Sequence, residues 1–128
     1  MVNIVYATEN FKDTVRQDAL YYLEQEVGKL ANCRWTGKGW PRNRPGEVMD
    51  ITVQRVMPDA DWFIYSIFCA IVRRALIIIP PKENRSYKVA AYTVDLHRTP
   101  SRFVKWLNQL GLDAVLMTTT RLGKQIKR

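Results

Sequence analysis

His97 is the single imidazole of the chain and stands in the run Asp95-Leu96-His97-Arg98-Thr99. A histidine beside a carboxylate can serve as a general base when the acid orients it. The same run also reads as a strand end next to a helix cap, and no G-x-S-x-G nucleophile accompanies it. Glu47, Asp50 and Asp95 are the acids that neighbouring strands could gather around Mg²⁺, as a metal-dependent nuclease or phosphodiesterase requires. Asp59 and Asp61 more simply belong to a turn. Cys33, Cys69 and His97 supply at most three soft ligands without C-x-x-C spacing, which does not make a zinc site. No Walker-type or G-x-G-x-x-G loop is present to cradle a nucleotide. These patterns assign no catalytic residue, no metal and no cofactor.

A different chemistry is concentrated between Arg34 and Pro45, in RWTGKGWPRNRP. Arg34, Lys38, Arg42 and Arg44 alternate there with Trp35, Trp40, two glycines and two prolines, and no acid intervenes. Pro41 and Pro45 remove backbone donors, so a loop is expected over 34–46. Cations on a loop can track phosphates while an aromatic ring stacks on a base. Trp35, directly after a helix, is expected to pack on the core, and Trp40, between Gly39 and Pro41, to face a partner.

The charge of the rest of the chain points the same way. The net charge is +8, yet residues 1–33 sum to −2 and residues 47–96 to zero. Residues 34–46 carry +4 and residues 97–128 carry +6. Arg98, Arg102, Lys105, Arg121, Lys124, Lys127 and Arg128 could therefore extend the basic surface of the loop, with 123–128 as a basic tail. Two cysteines and no signal peptide suit a reducing, cytoplasmic setting. Trp62–Ile79 is apolar enough to raise a membrane span, but Arg73 and Arg74 sit within it, each costing about 2.5–3.5 kcal/mol at a bilayer centre. No membrane partner is expected.

The elements that must hold these residues follow from periodicity. Val2–Thr8 is apolar on both faces, as an inner strand is. Asn10–Ala31 places Phe11, Val15, Ala19, Tyr22, Leu23, Val27 and Leu30 at helical spacing. Val48–Met57 alternates as a half-buried strand. Trp62–Ile79 is rich in β-branched and aromatic residues and reads as a long strand, with a helix from about 61 to 75 as the alternative. Ser86–His97 is a further strand. Thr99, Pro100 and Gly111 bracket a second helix, and a last strand follows it.

The order β-α-β-β-β-α-β predicts one α+β domain over 1–128, a two-layer sandwich. Its sheet is expected to be mainly antiparallel, with both helices on one face. The function expected is non-catalytic nucleic-acid binding, DNA or RNA, with limited sequence specificity. A protein-interaction module is the first alternative, since Trp and Arg commonly anchor interfaces. The metal-dependent nuclease is the second, and homo-oligomerisation through an open strand edge stays compatible with the sequence.

Overall fold

A computed structural model describes residues 1–8, 19–37, 39–41, 43–66, 79–93, 108 and 111–117. Their elements are β1 (Asn3–Ala7), α1 (Ala19–Leu30), β2 (Asn32–Thr36), α2 (Met49–Val56), β3 (Trp62–Ser66), β4 (Lys88–Thr93) and β5 (Ala114–Met117), with a 3-10 turn at Lys82–Asn84. A chain mixing strands with two helices is what the sequence predicts. The sheet differs. Its order is β2-β1-β3-β4-β5, and every pairing is parallel.

The antiparallel expectation is therefore corrected, and the reason lies in the strands themselves. Parallel strands are covered on both faces and read as near-continuous apolar runs. NIVYA, WFIYS and KVAAYT have that character. Their connections must also cross back over the sheet, which the long intervals between them permit. Reading Val48–Met57 as a strand fills one of those intervals and turns a crossover into hairpins. In the structure 49–56 is helix, and the described run Trp62–Ser66 of Trp62–Ile79 is the strand β3. Residues 67–78, the expected helix at 99–110 except Asn108, and the tail lie outside the described residues.

The two described helices, α1 and α2, take opposite faces of the sheet; the expected pairing of Asn10–Ala31 with the helix at 99–110 on one face falls on residues outside the described ones. Val5, Ala7, Phe63, Tyr65, Val89 and Ala91 turn one way and form the main core with Met49, Val53 and Val56 of α2. Tyr6 and Trp35 turn the other way, where a Cβ on Gly28 of α1 would meet the Trp35 ring at 3.2 Å. Crossovers of one hand explain this. The chain steps outward from β1 to β2 and then back past β1 to β3, so successive helices must change sides. Each fully buried side chain such as Phe63, Met49 or Leu112 contributes about 1.5–3 kcal/mol of transfer free energy.

Side chains fasten the amino edge of the sheet. Asn3 receives the Asp61 carboxylate on its backbone N–H at 2.8 Å and returns its carbonyl to the Asp61 N–H at 2.8 Å. Asp113, ahead of β5, accepts the Val89 N–H at 2.9 Å and lies 3.3 Å from Lys82 and 3.4 Å from Arg85. Arg85 also donates to the Gly111 carbonyl at 2.6 Å. Burial of the Asp113 carboxyl opposes ionisation. The Val89 N–H and the Lys82 and Arg85 charges outweigh that and hold its pKa below the ordinary value.

Candidate functional site

In a parallel sheet all strands end at the same edge. In doubly wound sheets, ligands bind outside the carboxyl ends of the strands, where the strand order reverses direction. Here the chain leaves β1 to one side, for β2, and leaves β3 to the other, for β4, so the reversal lies between the ends of β1 and β3. The residues there are Thr8 and Ser66.

Thr8 follows β1 and is fully buried. Its backbone N–H donates to the Thr36 carbonyl at 2.9 Å, extending the β1–β2 ladder by one step. Its hydroxyl donates to the Glu24 carboxylate of α1 at 2.7 Å, and Glu24 is only 4% exposed. Gly37, directly after β2, stands at φ +118, and a Cβ there would overlap the Thr8 carbonyl oxygen. Glycine is thus required both by its backbone angle and by the close approach of the two strand ends.

Ser66 is the last residue of β3 and is 0% exposed. Its Oγ is buried and has no hydrogen-bond partner among the described residues. Ala7 pairs with Tyr65 and Ser66 with Tyr92, so Thr8, Ser66 and Tyr92 continue one row across β1, β3 and β4. Alternation turns this row away from Ala7 and Tyr65, to the α1 side, where Glu24 meets Thr8. A hydroxyl row with a carboxylate at its side therefore closes the α1 face of the sheet at its carboxyl edge. Sequence reading missed all three of Thr8, Glu24 and Ser66. The available signal was a polar residue directly ending each of two strands that are apolar on both faces.

The expected basic and aromatic residues are placed differently. Arg34 belongs to β2 rather than a loop, and its guanidinium donates to the Val56 carbonyl at 2.9 Å, closing the end of α2. Trp35 stacks between Tyr6, at 5.0 Å, and Trp40, at 5.6 Å and 16°. Trp40 is thus half-buried against its neighbour, and its Nε1 is buried without a partner among the described residues. The turn carrying it lies along the outer margin of β2. There Cys33, Arg34, Trp35, Trp40 and Pro41 line an open depression of about 430 Å³.

Arg44 is 4.0 Å from Glu47, whose carboxylate is bound more closely by Arg55 at 2.7 Å and Thr52 at 2.7 Å. The Arg55 hydrogen bond, with help from Thr52, overcomes desolvation and holds Glu47 below its ordinary pKa. Asp50, a candidate metal ligand, accepts the Tyr87 hydroxyl at 2.5 Å. Among the described residues no group of three or more His, Cys, Asp or Glu could hold a metal ion. Burial raises the pKa of the Cys33 thiol, away from a reactive thiolate. No described helix is long and apolar enough to cross a membrane. Lys38, Arg42, Cys69, Asp95, His97, Arg98, Arg102, Lys105, Arg121, Lys124, Lys127 and Arg128 lie outside the described residues.

Compared with family models, with curated proteins and with solved structures, the chain matches none.

Proposed function

We propose that this domain binds a small anionic ligand in the crevice at the carboxyl edge of its sheet, between the ends of β1 and β3. The observation that carries this reading is the all-parallel order β2-β1-β3-β4-β5, whose reversal falls at Thr8 and Ser66. The buried Ser66 hydroxyl, which has no partner among the described residues, supports it, because a buried polar group without a partner is costly unless something else meets it. The net charge of +8 favours a ligand of negative charge.

A thermal-melt series with inorganic phosphate, AMP and glucose 6-phosphate tests the reading. Ligand at one hundred times its dissociation constant stabilises the folded state by about 2.7 kcal/mol. At least one of these anions raises the melting temperature of the wild type, and Ser66→Val, which fills the crevice end with a methyl, lowers that gain. A series in which none of the three moves the transition contradicts it.

Nucleic-acid binding is the second reading, favoured by the concentration of charge in 34–46 and 97–128. Trp40 stacks on Trp35 with one face of its ring, and Arg34 gives one of its donors to the end of α2. Binding of a single-stranded oligonucleotide that weakens steeply with salt supports this second reading, and binding indifferent to salt sinks it.

A further inference from the structure

We infer that the open margin of β2 is a docking edge for an extended acidic peptide of a partner protein, added beside β2 as one more strand of the sheet. This surface lies apart from the crevice proposed above and stands independently of it. β2 is the terminal strand, paired with β1 on one side and, among the described residues, with nothing on the other. The Asn32 N–H donates to the Val2 carbonyl at 2.9 Å, and the Thr36 carbonyl accepts the Thr8 N–H at 2.9 Å. Main-chain groups alternate along such a ladder. Asn32, Arg34 and Thr36 therefore turn theirs inward to β1, and Cys33 and Trp35 turn theirs outward. The outward N–H and carbonyl groups of Cys33 and Trp35 have no partner among the described residues. The Gly37 carbonyl, beyond them, is taken by the Trp40 N–H at 3.1 Å. The open depression of about 430 Å³ lies along this same stretch, between Cys33, Arg34 and Trp35 of the strand and the Trp40–Pro41 turn. Arg34 and Pro41 are exposed and the other three are half-buried. An added strand is held by main-chain bonds to such an edge and selected by receptacles for its alternate side chains.

The side chains beside the edge define what it selects. Cys33 and Trp35 turn to the α1 face, where the Cys33 Sγ lies 3.9 Å from the Val27 carbonyl and Trp35 stacks with Tyr6 and Trp40. Arg34 turns to the other face and gives one donor to the Val56 carbonyl at 2.9 Å. A guanidinium has five N–H donors, so Arg34 keeps others for a ligand. A strand that alternates acidic and apolar side chains meets both faces. Its carboxylates lie beside Arg34, and its apolar residues lie beside Trp35 and Trp40. Charge names the occupant, because residues 34–46 carry +4 and no acid. A second copy docked edge to edge would bring the same cationic segment against the first, and like charges across a strand pair destabilise it. An acidic segment is attracted instead.

Fluorescence anisotropy and amide shifts on the wild-type protein test this with labelled, end-blocked hexapeptides. The probes are Glu-Val-Glu-Phe-Glu-Val, its counterpart with lysine for glutamate, and the acidic peptide N-methylated either at its glutamates or at its apolar residues. The acidic peptide binds about tenfold or more tightly than the lysine peptide, with its largest shifts at Cys33, Arg34 and Trp35. One N-methylated form loses about tenfold or more, because only one edge of an extended peptide faces β2. Loss at the apolar residues marks antiparallel addition, and loss at the glutamates marks parallel addition. Cys33→Pro, which removes an outward N–H and spares the inward ladder, weakens binding in the same way. Absence of peptide binding, equal binding of the lysine peptide, or N-methylation that weakens both forms or neither overturns the inference. A free protein that is dimeric while Cys33→Pro is monomeric overturns it in favour of a second copy. A single-stranded oligonucleotide that moves the Cys33–Trp35 amides where no peptide does overturns it in favour of nucleic acid.

Discussion

The Ser66 hydroxyl is buried and has no hydrogen-bond partner among the described residues, and burying a hydroxyl without a partner costs about 1–3 kcal/mol by mutational measures. Ser66→Ala is expected to leave urea stability unchanged or to raise it by up to about 1 kcal/mol, and a comparable loss would show that the hydroxyl is a structural bond. Gly37 lies at the opposite extreme. Its φ of +118 and the Thr8 carbonyl against it leave no room for a Cβ. Gly37→Ala should cost about 3 kcal/mol or more, read as a fall in denaturation midpoint. Arg34 was expected to meet phosphates but closes α2 through the Val56 carbonyl. Arg34→Ala is expected to lower stability by about 1–2 kcal/mol. A loss of oligonucleotide affinity at unchanged stability would return it to the binding surface. The cationic composition of 34–45 is plain in the sequence. Which of its residues are already engaged is not, because that depends on partners as distant as Val56.

At the scale of elements, β1 and the helical stripe ahead of β2 are legible because each shows one period. Val48–Met57 shows two. Met49, Ile51, Val53 and Met57 fit alternation, whereas Met49, Thr52, Val53 and Val56 fit a helix, and the latter set is buried while Ile51 is 55% exposed. Only the neighbouring core chooses between them. Two anchors at the amino edge should make stability depend on pH in opposite directions. Asp113 has a lowered pKa in the fold. Its contribution is therefore present above the ordinary value of 3.8 and is lost as pH falls through the lower folded value. Asp113→Asn should flatten the acid limb of a stability–pH curve. Tyr87 has a raised pKa, from burial first and then from its bond to Asp50. Its contribution is present below the ordinary value of 10.0 and is lost as pH rises through the folded value, so Tyr87→Phe should flatten the alkaline limb.

At the scale of the molecule, the parallel order changes what the charge can mean. β2 and β5 form opposite margins of the sheet, four strand spacings or about 19 Å apart. In chain order the cations of 38–44 follow β2 and those of 121–128 follow β5, while Arg98, Arg102 and Lys105 fall between β4 and β5. A linear reading of charge sees both stretches but not what lies between them. It cannot, because strand order is set by crossovers and not by local composition. Backbone amide shifts measured while titrating the wild type with ribose 5-phosphate, AMP and glucose 6-phosphate test the central claim most directly. The largest changes are predicted at Thr8, Gly37, Ser66 and Tyr92, at the carboxyl ends of the strands. Changes confined to the amino edge, around Asn3, Asp61, Arg85 and Asp113, would contradict it.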